Sequence, residues 1–254
     1  MTDRIQRPLT RRDRRIAERA IERTRPNGSP QKRRFGLGAI SAVALALGAA
    51  VIAIAIVLGG GVGSKVVETN LATTVRLPGG IAFSGMVLGR PDAKVTIDLY
   101  EDFQCPACRM WSESTFPSLL SHEVADGTVR IVFHDMAFLG RESVDAGHAA
   151  YAAAEQGHFW DMWMTLYASQ GPRENGGTFN RAALLAMAGN LGFDTARFAA
   201  DMDSPAAVAD LDASIATSRT AGVSSTPTLV INGQAYQGVG TYTDLSAVIA
   251  AAAK

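Results

Sequence analysis

Two cysteines lie three positions apart, Cys105 and Cys108, with Pro106 and Ala107 between them. Thiol–disulfide exchange needs a thiolate that attacks a disulfide and a second thiol that resolves the mixed disulfide. A helix N-terminus favours the thiolate, because its unpaired N–H groups and the helix dipole stabilise negative charge. Since proline suits the first position of a helix, we expect Cys105 to be the exposed attacking thiol there. Cys108 is expected to be the shielded resolving thiol, one turn inward.

The cysteine pair has two other interpretations. A C-x-x-C segment can supply half of a zinc site, but no second ligand pair at suitable spacing follows it in the sequence. The four histidines are dispersed over different predicted elements, at His122, His134, His148 and His158. Two structural cysteines paired by chance are the remaining alternative, which the preceding predicted strand and the enclosed proline disfavour. The sequence therefore predicts a redox centre without a metal or another cofactor.

Strands are predicted on both sides of the cysteine pair. Residues Lys94 to Tyr100 alternate between apolar and polar side chains, and Val129 to Phe133 are apolar except for Arg130. From Arg141 to about Thr220 the apolar spacing becomes helical, which predicts a block of helices between strands. The order of elements is therefore strand, cysteine pair, helix, strand, helical insertion.

A hairpin and a final helix are predicted to complete the domain. Asn232-Gly233 separates the predicted strands Thr228 to Ile231 and Gln234 to Gln237, which favours a type I′ turn. Thr241 or Thr243 is expected to cap a last helix. Pro227 stands directly before the first of these strands, either with a cis peptide bond or as an ordinary trans proline at a strand start.

The N-terminal part of the chain differs sharply in charge from the rest. Residues 1–34 contain 12 Lys and Arg against 4 Asp and Glu, a net charge of +8 in a chain whose total is zero. Phe35 to Leu58 then forms a 24-residue apolar run. As a helix it would measure roughly 36 Å, enough to cross the ~30 Å hydrocarbon core of a membrane. The basic flank predicts a cytoplasmic N-terminus and an extracytoplasmic C-terminal domain.

Two alternatives to this membrane anchor remain. A cleavable signal peptide is disfavoured because the apolar run is longer than such segments usually are. A nucleic-acid-binding role for the basic segment is disfavoured because aromatic residues are not interleaved with the arginines. We therefore expect a cytoplasmic tail over 1–34, a transmembrane helix over 35–58, a linker over 59–80 and an α/β domain over 81–254 with a helical insertion at about 141–222.

Four segments carry a resemblance to a known family. They are Tyr100 to Cys108, Gln156 to Trp160, Leu191 to Asp194 and Gly222 to Thr228. Together they resemble the DsbA-like family of bacterial thiol–disulfide oxidoreductases over about residues 81 to 254. The resemblance implies a thioredoxin-like fold with a helical insertion, with Cys105 as nucleophile and Cys108 as resolving thiol.

The resemblance also implies how substrate and reoxidant are bound. A cis Thr226-Pro227 loop is expected to lie against the cysteines, with Thr226 offering its backbone to an extended substrate. Pro106 and Ala107 are expected to contact the substrate beside Pro227. The implied reoxidant is a membrane quinone reductase of the DsbB or vitamin K epoxide reductase type.

One position departs from the family pattern. Many members carry a buried acidic residue six positions before the first cysteine, where this chain has Leu99. The usual role of that acid is to shuttle the proton of the buried thiol. Asp102 is the substitute that the sequence suggests, and a solvated turn residue is its alternative interpretation.

The function expected from the sequence is oxidation of cysteine pairs in exported proteins by a membrane-anchored enzyme. A disulfide reductase or isomerase is the alternative within the same chemistry, and a non-catalytic chaperone-like module is an alternative of another class. The sequence shows no dimerisation domain of the kind that isomerases usually add. We therefore expect a monomeric oxidase.

Overall fold

The computed structural model describes residues 74–236 and 241–254, so the predicted tail and anchor (1–34 and 35–58) lie outside the described residues. Within the described part, six strands form one sheet in the order β1-β2-β4-β3-β5-β6. These strands are β1 (Phe83–Ser84), β2 (Val87–Leu88), β3 (Val95–Glu101), β4 (Val129–Asp135), β5 (Thr228–Ile231) and β6 (Gln234–Tyr236). None of the helices in these residues is both long enough and apolar enough to cross a membrane.

The two central strands carry the buried face of the sheet. β3 and β4 are parallel, and β5 pairs antiparallel with β3 on its other side. Val95, Ile97 and Leu99 are fully buried, as the alternation in the sequence predicted. Both central strands extend beyond their predicted ends, to Glu101 and Asp135. Each extension brings an acidic side chain into the interior.

Helices cover this sheet and fill the predicted insertion. They are α1 (Pro106–Ser114), α2 (Phe116–Leu119), α3 (Arg141–Ala154), α4 (Phe159–Ala168), α5 (Arg181–Asn190), α6 (Thr195–Met202), α7 (Pro205–Thr220) and α8 (Tyr242–Ala252), with a π-helical turn at Leu120–Val124. α4 packs on α1, and Trp163 of α4 also contacts Phe116 at the start of α2, with ring centroids 4.7 Å apart. The insertion therefore supports the helix that begins directly after Cys105.

The predicted hairpin and final cap are both present. Asn232 and Gly233 have positive φ angles of 46° and 81°, which the type I′ turn requires. β5 and β6 pair antiparallel on either side of this turn. The Thr241 side chain accepts a hydrogen bond from the Asp244 N–H and caps α8.

The folded domain begins earlier in the chain than the sequence predicted. Part of the segment that was predicted to be linker lies against α4, because the Val75 N–H donates to the Thr165 hydroxyl at 3.3 Å and the Leu77 N–H donates to the Asp161 carboxylate at 2.8 Å. The Thr165 hydroxyl in turn donates to the Val75 carbonyl at 3.2 Å. Ordered contacts therefore begin before Ile81. We call residues 75–77 the docked arm.

Candidate active site

Cys105 lies at the junction between β3 and α1. The Cys105 N–H donates to the Asp102 carbonyl at 2.9 Å, which closes a tight turn after the strand. Cys105 is extended, with φ −69° and ψ 119°, as expected for a residue that precedes proline, and α1 starts at Pro106. The structure thus confirms the helix N-terminus that the sequence predicted. The predicted exposure is corrected, because Cys105 is only 7% exposed and Cys108 is fully buried.

The Cys105 thiol is surrounded by groups that favour its thiolate form. A hydrogen bond from the Cys108 thiol is the largest of the effects that lower the pKa of Cys105 to about 6, against the opposing effect of burial. The Thr226 side chain and the backbone N–H groups of Cys108 and Ala107 lower it further. At neutral pH Cys105 is therefore mostly a thiolate, which is the reactive form.

Cys108 has the opposite environment. Burial is the main cause that raises its pKa far above the value of a free thiol, and the hydrogen bond to Cys105 and the charge of Glu101 act in the same direction. The two cysteines are free thiols in the structure. Cys108 therefore stays protonated while Cys105 carries negative charge, which is the asymmetry that the sequence predicted for the pair.

The loop before β5 lies against the first cysteine. The Thr226-Pro227 peptide bond is cis, and the Cys105 Sγ lies 3.4 Å from the Thr226 carbonyl oxygen, to which it donates when it is protonated. The Thr226 hydroxyl is buried without a hydrogen-bond partner, and the Thr226 side chain is one of the groups that lower the pKa of Cys105. Two segments that are 121 positions apart in the chain thus meet at one sulfur.

Asp102 is fully buried and acts as a structural anchor. Its Oδ1 accepts from the Gln104 N–H at 2.8 Å and from the Ser143 hydroxyl at 2.7 Å. Its Oδ2 accepts from the Phe138 N–H at 2.8 Å and the Leu139 N–H at 2.9 Å. These four bonds tie the turn before Cys105 to the loop after β4 and to α3. The solvated turn that the sequence allowed is wrong, and the predicted proton transfer by Asp102 stays a prediction.

Two glutamines that sequence reasoning missed hold the same turn. The Gln170 side-chain amide donates to the Phe103 carbonyl at 2.8 Å and to the Cys105 carbonyl at 3.1 Å. The Gln104 side-chain amide donates to the Ser143 hydroxyl at 2.9 Å. Gln170 follows α4, so the helical insertion reaches the nucleophile directly. No pattern in the sequence indicated these contacts, since they join segments more than 35 positions apart.

The structure also places an acid beside the thiols that the sequence did not indicate. Glu101 is fully buried and neither of its carboxylate oxygens has a hydrogen-bond partner, although Tyr167 and Trp163 face it. Burial is the main cause that raises its pKa well above the usual range, and the charge of Cys105 contributes. The protonated, neutral form of Glu101 is therefore favoured, and it lies where a buried proton donor is needed.

A groove of about 330 Å³ opens beside the cysteine motif. It lies between the exposed side of α1 and the start of α8, and its walls are Ala107, Met110, Trp111, Ser114, Thr115, Thr241 and Tyr242. Met110 is 62% exposed, which is unusual for a large apolar side chain. The groove can therefore take an apolar side chain from a chain bound at Cys105. Within the described residues, His, Cys, Asp and Glu side chains do not form a group of three that could hold a metal ion.

Comparisons with known proteins agree with this geometry. A family model described as thioredoxin matches residues 82–251. Probable disulfide bond formation protein D of Bacillus anthracis is 36% identical over 86 residues, which are 33% of this chain and 39% of that protein. The crystal structure of oxidised BdbD from Bacillus subtilis superposes with a TM-score of 0.62 at 21% identity, over 72% of this chain and 99% of that one. The resemblance to the DsbA-like family is thereby confirmed.

A second kind of relative shares only part of its length. The Na⁺/H⁺ antiporter NhaA of Herminiimonas arsenicoxydans is 30% identical over 152 residues, which are 60% of this chain and 23% of the antiporter. The matched region thus spans less than half the length of both curated relatives.

Proposed function

Because this chain belongs to the thioredoxin family, we propose that it is a thiol–disulfide oxidoreductase that oxidises cysteine pairs in exported proteins. One observation carries the proposal: the site holds Cys105 as a thiolate, with its pKa lowered to about 6, beside a protonated and buried Cys108. A stabilised thiolate favours the reduced form of the pair. The corresponding disulfide is therefore a good electron acceptor.

The first half of the reaction is attack on the enzyme disulfide. A substrate thiolate attacks the Cys105 Sγ, the bond to the Cys108 Sγ breaks, and Cys108 leaves with the electron pair. Its sulfur cannot remain charged at a fully buried position. Glu101, which is neutral and faces Cys108, gives its carboxyl proton to that sulfur.

The second half releases the oxidised substrate. The second substrate thiolate attacks the substrate sulfur of the mixed disulfide, and Cys105 leaves. Cys105 is a good leaving group because its thiolate is stabilised by the neighbouring N–H groups, Thr226 and the Cys108 thiol. The substrate is oxidised by two electrons, and the enzyme is left as a Cys105 thiolate and a Cys108 thiol.

Substrate binding uses the surfaces around Cys105. The cis loop presents the Thr226 backbone beside the sulfur, where an extended chain would pair with it as a strand pairs with an edge. Pro227, Pro106 and Ala107 border this position, and the groove lined by Met110 would take an apolar side chain of the substrate. These contacts depend on backbone and apolar shape, which suits many unfolded substrates.

The proposed location is the outer face of a cell membrane, with a single-pass anchor at 35–58 and a monomeric catalytic domain outside. Its support is the apolar run and the basic flank in the sequence. Reoxidation is assigned to a membrane quinone reductase of the DsbB or vitamin K epoxide reductase type, which would accept the two electrons of the Cys105–Cys108 pair. Protease treatment of intact cells should remove the domain and leave the N-terminal tail; a soluble form that starts after Ala55 would contradict the anchor.

The function is tested by trapping substrates in cells. Cys108→Ser should accumulate mixed disulfides between Cys105 and exported proteins, because the Cys105 thiolate can still attack a substrate disulfide while the Cys108 thiol that would release the substrate is absent. Cys105→Ser, the matched control, should trap little or nothing. Acid quenching followed by thiol alkylation should find the wild-type pair mostly oxidised. A pair that is mostly reduced in cells would instead assign the protein as a reductase or isomerase.

A further inference from the structure

Two neighbouring strands end in buried acids, Glu101 on β3 and Asp135 on β4. The two residues are register partners in the sheet, and both are 0% exposed. Register partners in parallel strands project from the same face, and such strands lie about 4.8 Å apart. The two carboxyl groups are therefore adjacent inside the protein.

Glu101 and Asp135 accept far fewer hydrogen bonds than Asp102 does. Both carboxylate oxygens of Glu101 and the Oδ2 of Asp135 have no hydrogen-bond partner. The Oδ1 of Asp135 accepts from the Ala137 N–H at 3.0 Å. Burial raises the pKa of both acids, and the charge of Asp102 raises that of Asp135 further. The protonated form is therefore favoured in both groups, which lie next to oxygens that are not engaged by other donors.

Titratable groups from several elements face this acid pair. They are Cys105 and Cys108 at α1, Asp102 after β3, Tyr167 on α4, and Tyr151 on α3, with Asp210 on α7 beyond Tyr151. None of these groups is a cation that could hold either acid permanently ionised. The thiols face Glu101, and Tyr151 faces Asp135, so the pair lies between the redox site and the contact of α3 with α7.

Asp135 is the member of the acid pair that lies towards the protein surface, beside helices α3 and α7. The Asp135 N–H donates to the Ser214 hydroxyl on α7 at 2.7 Å. Helix α3 comes close to Asp135 because it has a glycine there: a Cβ at Gly147 would lie 2.7 Å from the Asp135 Oδ2. The Tyr151 hydroxyl is buried without a hydrogen-bond partner, and Tyr151 interacts with Asp210, which is exposed. Water reaches Asp210 without passing Cys105.

We propose that Asp135 is a positioning residue that resupplies Glu101 with a proton from the α3–α7 surface. This inference rests on the proposed function and adds a second acid to it. After the bond between Cys105 and Cys108 breaks, Glu101 protonates the Cys108 sulfur. Asp135 gives its proton to the Glu101 carboxylate and takes one from water by way of Tyr151. One proton moves inward for each disulfide reduced, and it returns outward when the pair is reoxidised.

The site needs such a route because water has little access to it from the side where the substrate binds Cys105. Cys105 is 7% exposed before any substrate binds, and a bound substrate covers it further. A Glu101 carboxylate would then face the negative charge that Cys105 gains as the substrate leaves, in a water-free interior where like charges repel strongly. Transfer of a proton from Asp135 to Glu101, on the side away from the substrate, removes that repulsion before Cys105 leaves.

The test is the pH profile of single-turnover oxidation of a dithiol peptide by the full-length oxidised protein. Asp135→Asn should lower the rate about tenfold at pH 8 and little at pH 5, where solvent protons are plentiful. Glu101→Gln should give a similar profile with a larger loss. Because the two acids act in series, the double variant should be no slower than Glu101→Gln alone. Asp98→Asn, in a part-exposed acid of β3, is the matched control and should keep the wild-type profile.

Several outcomes would overturn the relay. An Asp135→Asn rate that is reduced equally at all pH values, or a loss that adds to that of Glu101→Gln, would mean a purely structural role. If Asp135→Asn fails to fold, Tyr151→Phe replaces it, and an unchanged profile there would also overturn the relay. If the wild type does not oxidise the peptide, the proposed function fails. The same variants are then measured for peptide disulfide reduction, where Cys108 must lose its proton by the reverse route.

Discussion

The reactivity of Cys105 depends on a partner that is itself chemically inert at neutral pH. The Cys108 thiol is buried and protonated, and the hydrogen bond that it donates is the largest effect lowering the pKa of Cys105. The resolving thiol therefore has two roles. It ends the mixed disulfide, and before that it prepares the attacking sulfur.

This double role predicts different behaviour for two substitutions of the same residue. Cys108→Ala removes the donor, so the pKa of Cys105 should rise from about 6 towards that of a free thiol. Cys108→Ser keeps a donor and should retain a low pKa. Alkylation of Cys105 at pH 6 should therefore be several-fold slower in Cys108→Ala than in Cys108→Ser. Equal alkylation rates would show that the backbone N–H groups and Thr226 stabilise the thiolate without the Cys108 donor.

Glu101 should make the free energy of unfolding fall as pH rises. Its pKa in the folded protein is raised, so the folded state keeps a proton that the unfolded chain has lost. The stability that this provides is complete below the unfolded pKa and falls as pH rises towards the folded pKa. Between pH 5 and 6 the free energy of unfolding should fall with a contribution of up to about 1.4 kcal/mol per pH unit from this group.

Glu101→Gln tests this sign, because glutamine does not ionise. Urea unfolding of the reduced variant should show a shallower decline than the wild type in that pH window. Above pH 6 the lowered pKa of Cys105 acts in the opposite direction, adding stability as pH rises, so the comparison stays below it. Parallel curves for the two proteins would mean that Glu101 is ionised in the folded state.

At the scale of elements, the site depends on one turn that several segments hold together. Asp102 alone accepts four hydrogen bonds, from the Gln104, Phe138 and Leu139 N–H groups and the Ser143 hydroxyl. Asp102→Ala should destabilise the protein by about 3–5 kcal/mol, because it leaves buried donors without partners. The measurement is chemical denaturation at pH 7.

A matched control and a second readout separate structure from chemistry at Asp102. Asp92→Asn changes an exposed acid that pairs with Arg90 on the surface, and it should leave stability almost unchanged. If Asp102 also transfers protons as the sequence suggested, Asp102→Asn should change the pH profile of turnover. If its role is the anchor alone, activity should follow the folded fraction.

Elements with a local signal were predictable from the sequence, and those without one were not. The alternation in β3 and the Asn232-Gly233 turn are patterns within a few residues, and both are confirmed. β1 and β2 have two residues each and carry no periodicity. α6 lies inside the predicted block of helices but was not recognised as a separate helix, although Asp194 before it accepts from the Ala196 and Arg197 N–H groups and is a recognisable cap.

The same distinction explains the candidate site. The cysteine pair and Thr226-Pro227 are visible as residue types in order, so the sequence identified them. Glu101 was missed because a charged residue at a strand end normally indicates the start of a turn, whereas here β3 continues through it. Its burial depends on α4 lying over it, and that contact has no signature in the sequence.

For the whole molecule, the docked arm joins the N-terminal part of the chain to the helical insertion. Thr165→Val removes both hydrogen bonds to Val75 while keeping the side-chain shape. It should lower stability by about 1–2 kcal/mol and increase protease cleavage near Val75. Thr217→Val, whose hydroxyl bonds within its own helix, is the control and should do neither. Unchanged cleavage in Thr165→Val would show that the Leu77–Asp161 hydrogen bond and apolar packing are enough to hold the arm.

The docked arm also has a mechanical consequence. Its backbone hydrogen bonds run to Thr165 and Asp161 on α4, the Arg76 side chain donates to the Leu191 carbonyl after α5, and the sheet begins only at Phe83. A pulling force applied to the chain ahead of Val75 is therefore borne first by α4. The tension would have to peel the arm from that helix before it reached β1. The strand that leads to Cys105 is thus protected from tension on the N-terminal side of the chain. A domain held at that side could change its orientation under force and still keep the geometry of its cysteine pair.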